Sequence, residues 1–113
     1  MNFNEYERLA METADYPDIG NNVLYPAAGA AGEAGEFLDK IKKAWRNTGN
    51  YHSGALSSEQ RMDALKELGD QLWYITAAAK ELQSSLQLVA EFNIAKLADR
   101  RARGVIKGEG DNR

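Results

Sequence analysis

The stretch from Tyr25 to Trp45 constrains this chain most. Ala27, Ala30, Ala31, Ala34, Phe37, Leu38, Ile41, Ala44 and Trp45 recur there at spacings of three and four. That is the period of one helix face, not of a strand. Pro26 suits the first turn of such a helix, where its missing N–H has no partner to lose. A second stripe, Leu65, Leu68, Leu72, Ile75 and Ala79, follows Ser57-Ser-Glu-Gln60, whose spacing fits a capping box. Two long helices are therefore expected. Phe3 to about Thr13 reads as a first helix, with Tyr6, Leu9, Ala10 and Thr13 on one side and Pro17 and Gly20 after it. Ser84-Ser-Leu-Gln87 offers another capping box, for a last helix carrying Leu86, Val89, Phe92 and Leu97. Asn47 to Leu56 reads as a loop, and Gly104, Gly108 and Gly110 end regular structure. No stretch alternates with period two, and nothing repeats. The expected class is all-α, four-helix-bundle-like, with residues 1–113 as a single domain.

A chain of 113 residues buries a smaller share of its surface than a larger one, so further burial by self-association is expected. The net charge is −3, with acids and bases mixed. A nucleic-acid binder normally carries a basic surplus, so no nucleic-acid polymer is expected as partner. There is no cysteine, which excludes disulfides and thiolate metal sites. No apolar run reaches the ~18 residues of a membrane span. The sequence Met1-Asn-Phe-Asn-Glu-Tyr-Glu-Arg8 lacks a basic segment followed by an apolar core. A cytoplasmic protein is the expectation.

The chemistry lies in two acidic doublets, Glu33-Ala-Gly-Glu36 and Glu67-Leu-Gly-Asp70. Spacing of i, i+3 puts both acids of a doublet on one helix face. If the two long helices pack antiparallel, the doublets face each other. Four carboxylates brought together repel, and a hard cation such as Mg²⁺ removes the conflict through oxygen ligands. A solvated helix face is the ordinary reading of either doublet alone. Two details argue otherwise. Both doublets border an apolar stripe, and both place a glycine beside an acid, at Gly35 and Gly69, where a plain surface helix prefers alanine. Asp39 continues the face and is either a further ligand or an exposed helix residue.

A basic cluster follows: Lys96, Arg100, Arg101, Arg103 and Lys107, with Asn93 upstream. Asn93, Lys96 and Arg100 share a helix face. Guanidinium groups bind phosphate oxygens through paired hydrogen bonds, so this face can hold phosphates while the acids hold a metal. Its simpler reading is a basic turn that complements the helix dipole. Trp73, Tyr25, Trp45 and Tyr74 are candidate base contacts, although aromatics at helical spacing more often serve a core. His52 is the one histidine, so the two Glu-x-x-His motifs of a di-iron carboxylate bundle are excluded.

Taken in order, Gly32-Glu-Ala-Gly-Glu36, Lys66-Glu-Leu-Gly-Asp70-Gln-Leu-Trp-Tyr74 and Asn93-Ile-Ala-Lys-Leu-Ala-Asp-Arg-Arg101 resemble the MazG-like all-α nucleoside triphosphate pyrophosphohydrolases. The resemblance runs from about Tyr25 to Arg113, and the segment after Arg101 resembles the ending of small single-domain members, including phage ones. The 30 residues between Glu36 and Glu67 exceed the spacing of the shortest members, a difference the loop absorbs. The resemblance implies hydrolysis of a (deoxy)nucleoside triphosphate to monophosphate and pyrophosphate with Mg²⁺, Mn²⁺ substituting. It implies Glu33, Glu36, Glu67 and Asp70 as metal ligands and catalytic acids, with Glu36 or Glu33 also directing the attacking water. Lys96, Arg100 and Asn93 would bind substrate phosphates. A homodimer or homotetramer is implied, with sites completed by a neighbouring chain. dUTP or phosphoribosyl-ATP are alternative substrates within that fold. A non-catalytic dimerisation or partner-binding module is the alternative outside it.

Overall fold

The computed structural model describes residues 1–113. Four α-helices and one 3-10 turn make up its regular structure, and there is no strand, as the periodicity predicts. Helix α1 spans Phe3–Met11, with the Asn2 side chain accepting a hydrogen bond from Glu5 N at its start. It stops two residues short of the expected Thr13, whose hydroxyl instead donates to the Ala10 carbonyl at 2.7 Å. Helix α2 spans Leu24–Thr48 and ends on Gly49, which adopts the left-handed conformation (φ 68°). The expected loop therefore begins after Thr48, and it contains the 3-10 turn at Ser53–Ala55.

Helix α3 spans Ser58–Glu81, and both bonds of the Ser57/Gln60 capping box form. Helix α4 spans Leu86–Ala102. Its cap is Ser85, which accepts from Leu88 N, and not the expected Ser84. The reason lies in the end of α3. Ser84 N donates to the Ala79 carbonyl and Gln83 N to that of Lys80, with Gln83 at positive φ (56°). This is a Schellman closure, and it commits the Ser84 backbone to α3. The Gln87 side chain, freed from a box, bonds Glu91 at 2.7 Å.

The α2–α3 pairing is by far the most extensive in the molecule. The helices run antiparallel: Gly29 meets Tyr74, Glu33 meets Asp70, and Lys40 meets Glu67. Helix α1 lies against α3 and α4. Glu7 ties them together, accepting from Leu86 N at 2.9 Å and pairing with Lys80 at 3.6 Å. The segment between α1 and α2 is fastened by Glu81. Its carboxylate accepts from the Tyr16 hydroxyl, Gly20 N and Asn22 N.

The core is thin. Ten residues are buried, and five of them are alanines: Ala10, Ala44, Ala64, Ala77 and Ala79. Apart from Tyr16 and Leu86, the larger apolar side chains stay outside it, among them Leu38 (65% exposed) and Phe92 (66%). The radius of gyration is 16.9 Å, against about 13 Å for a compact chain of this length. The single chain is thus an open arrangement around one tight helix pair. No helix is long and apolar enough to cross a membrane.

Candidate metal centre

Glu33 comes from α2, and Glu67 and Asp70 from α3. A carboxylate oxygen from each lies within 4.8 Å of the other two. The i, i+3 spacing puts Glu67 and Asp70 on one face of α3, and the antiparallel register brings Glu33 opposite. Gly29 sets the approach one turn earlier, where the Tyr74 ring lies so close to α2 that a Cβ would overlap it. Glu36, the fourth acid of the pattern, is exposed and outside this triad, but its charge reaches Glu33.

Like charge and partial burial shape the electrostatics. Burial first, then the carboxylates of Asp70, Glu67 and Glu36, hold Glu33 above the ordinary carboxylate range. Burial and the Asp70 charge likewise push up the Tyr6 phenol on α1. The one cation beside the triad is Lys40, whose Nζ lies 3.7 Å from Glu67 Oε1. A cavity of about 410 Å³ opens over the acids, lined by Thr13, Glu33, Asp70, Trp73 and Tyr74.

The donor set suits a hard divalent cation: three carboxylates and no nitrogen or sulfur ligand. Oxygens around Mg²⁺ at 2.0–2.1 Å lie roughly 3–4 Å apart, so oxygens already within 4.8 Å need only small side-chain movements. Glu33, Glu67 and Asp70 therefore fit such an ion.

The other sequence candidates divide. Trp73 lies in the acidic cavity, its indole N–H donating to the Ala10 carbonyl and to Thr13 Oγ1. Its ring also meets that of Tyr74 edge-on, with centroids 5.1 Å apart. Tyr25 is engaged in a stack, parallel to Tyr16 at 4.9 Å and next to Tyr74. Trp45 lies far along α2, in a separate cavity with Tyr51 and His52. Asp39 pairs with Lys42 at 3.1 Å and Lys43 at 2.6 Å on its own helix and is not part of the triad. Asn93 and Lys96 line a third cavity, with Val89 and Phe92, that shares no residue with the acidic one. Arg100 is buried, and its Nη2 donates to the Gly110 and Asp111 carbonyls and to Asp111 Oδ1. The single chain does not bring Lys96 and Arg100 to the acids.

Lys40, Thr13 and Tyr6 were not foreseen as neighbours of the acids. Lys40 was within reach of the sequence, because it follows Glu36 by four residues on the same helix face. Thr13 and Tyr6 carried no such signal, since a long-range contact brings them.

Two long antiparallel helices thus bring three carboxylates together across their groove in an all-helical fold, a cluster that could hold a metal ion. The sequence model of the MazG nucleotide pyrophosphohydrolase domain matches residues 25–105, and the chain belongs to that family. The "Gene 37 protein" of Mycobacterium phage L5 is 39% identical over 118 aligned positions, covering 100% of both chains. No solved structure matches the chain.

Proposed function

We propose that residues 1–113 act as one unit that hydrolyses (deoxy)nucleoside triphosphates to nucleoside monophosphate and pyrophosphate with Mg²⁺. The observation that carries this is the meeting of Glu33, Glu67 and Asp70 in a chain of this family. These three acids, joined by Glu36 from the same face, hold the ion, and Mn²⁺ substitutes for it. When bound, the ion neutralises phosphate charge and lowers the pKa of water. Glu36 or Glu33 orients the attacking water and takes its proton. Lys96, Arg100 and Asn93 bind phosphate oxygens, where cationic donors stabilise the charge that develops on transfer. Trp73, which lines the acidic cavity, contacts the base. Lys40 balances the acids until substrate arrives.

The separation of the basic face from the acids supports a second part of the reading. The active form is a homodimer or homotetramer in which α4 of one chain faces the acids of another. The exposed Leu38 and Phe92, with the thin core, supply apolar area for that contact. The cytoplasm, where nucleotides are made and used, is the proposed location.

The test is incubation of the purified protein with Mg²⁺ and a panel of canonical and modified nucleotides, including dUTP and phosphoribosyl-ATP, with products separated by chromatography. Monophosphate plus pyrophosphate, abolished by EDTA, is the expected result. A folded protein that turns over no nucleotide in the panel sinks the reading and leaves a partner-binding module.

A further inference from the structure

The basic face of α4 is occupied by the chain itself. Asp111 Oδ1 lies 3.3 Å from Arg100 Nη2 and 3.6 Å from Lys96 Nζ, so one carboxylate bridges the two cations. The Gly110 and Asp111 carbonyls add to the same Nη2. Lys96, then Arg100, hold the Asp111 carboxyl below its ordinary range.

This arrangement is an incomplete use of the arginine. Nε and Nη2 form one edge of the guanidinium fork, the edge that takes an oxyanion in two parallel bonds. Every side-chain hydrogen bond of Arg100 falls on Nη2, while Nε is buried with no partner. A buried, unpaired donor is unfavourable, and a tetrahedral oxyanion would satisfy both nitrogens. The occupant is also weakly held. The Asp111 side chain is 87% exposed, and only Val105 and Arg113 are even half-buried in the segment from Arg103 to Arg113. That segment is fastened by polar contacts: Arg113 to the carbonyls of Val105, Gly110 and Ile106, and Arg103 to Asp99 and the Arg113 carbonyl. Segments with few buried apolar contacts open at low cost.

We propose that the segment after α4 is a built-in competitor for phosphate, with Asp111 standing on Lys96 and Arg100 where an oxyanion of the ligand binds. The proposal rests on the reading above in which this face of α4 binds phosphates. Ligand binding then requires the segment to lift, and the affinity of the face is set by how firmly Asp111 sits.

The experiment is titration calorimetry of the full chain with inorganic tripolyphosphate, at low salt and in EDTA so that no metal site contributes. Wild type, Asp111→Asn, Asp111→Glu, Lys96→Met and the Lys96→Met/Asp111→Asn double variant are compared. Asp111→Asn is expected to tighten binding roughly two- to fivefold, the range of an exposed ion pair. Asp111→Glu, which keeps the charge, stays close to wild type. Lys96→Met weakens binding and shrinks the gain from Asp111→Asn. Unchanged affinity in Asp111→Asn, with Lys96→Met weakened, overturns the competitor and leaves the phosphate face standing. Unchanged affinity in Lys96→Met overturns the phosphate face and the competitor with it.

Discussion

Tyr74 of α3 packs its ring directly on the backbone of α2 at Gly29, leaving no room for a Cβ. One turn on, the same helix pair carries Glu33 opposite Asp70. The close approach at Gly29 is therefore part of what brings the carboxylates together. Gly32, Gly35 and Gly69 differ, for a Cβ at any of them meets nothing within 4 Å.

Gly29→Ala is expected to destabilise the protein by about 1–3 kcal/mol through overpacking, in spite of the ~1 kcal/mol that alanine gains over glycine in a helix. Gly32→Ala should instead raise stability by about 1 kcal/mol. Denaturant melts of both variants check this. A loss at Gly32→Ala would mean that another chain approaches α2 there.

Glu33→Gln should have opposite effects on stability and activity. The folded chain holds the Glu33 carboxyl above its ordinary value, so its charge is unfavourable at pH 7 without metal. The metal-free variant should melt at the same or a higher temperature than wild type. Its Mg²⁺-dependent rise in melting temperature should vanish, and turnover should fall by at least about a hundredfold. Thermal melts with and without Mg²⁺, beside the product assay, read out both effects. Retained Mg²⁺ stabilisation would remove Glu33 from the ligand set.

Glu81 sets a pH dependence. The Tyr16 hydroxyl, then the backbone N–H groups of Asn22 and Gly20, hold its carboxyl below the ordinary 4.5. The ionised form is thus favoured by folding. Its contribution is complete above about 4.5 and is lost as pH falls through the depressed folded value. Glu81→Gln should lower the melting temperature at pH 7 and flatten the acid limb of stability below pH 4.5. A parallel acid limb in variant and wild type would refute the linkage.

Arg100 and Lys96 should separate in stability. Arg100 is 5% exposed and bonds three acceptors, so Arg100→Met should cost about 1–3 kcal/mol. Lys96 makes one exposed ion pair, and Lys96→Met should cost less than about 1 kcal/mol. Urea unfolding gives both values, and equal losses would contradict the assignment.

Self-association should appear as a melting temperature that rises with protein concentration. Phe92→Asp, on an exposed position of α4, should reduce the mass measured by light scattering without unfolding α2 and α3. A wild-type chain of monomer mass at all concentrations would exclude the proposed assembly.

The sequence by itself determined the four helices, because helix period and capping act within a few residues. The stripes of α2 and α3 and the Ser57/Gln60 box were legible for that reason. So was the pairing of Glu67 with Asp70 on one face, since i, i+3 is a local relation. Even locally there was competition. Ser84 and Ser85 both suit a cap, and the Schellman closure of α3 selected Ser85. Only the tertiary structure decided which acids meet. It brought Glu33 across to Glu67 and Asp70 but left Glu36 outside the triad, and it gave Asp39 to Lys42 and Lys43. It also turned Arg100 toward Asp111 and placed Trp45 away from the acids while Trp73 lines their cavity. These outcomes depend on the register between helices and on contacts between residues distant in the chain. A periodic pattern specifies which face of a helix is apolar, and the packing of whole helices specifies what that face, and the charges at its edge, will meet.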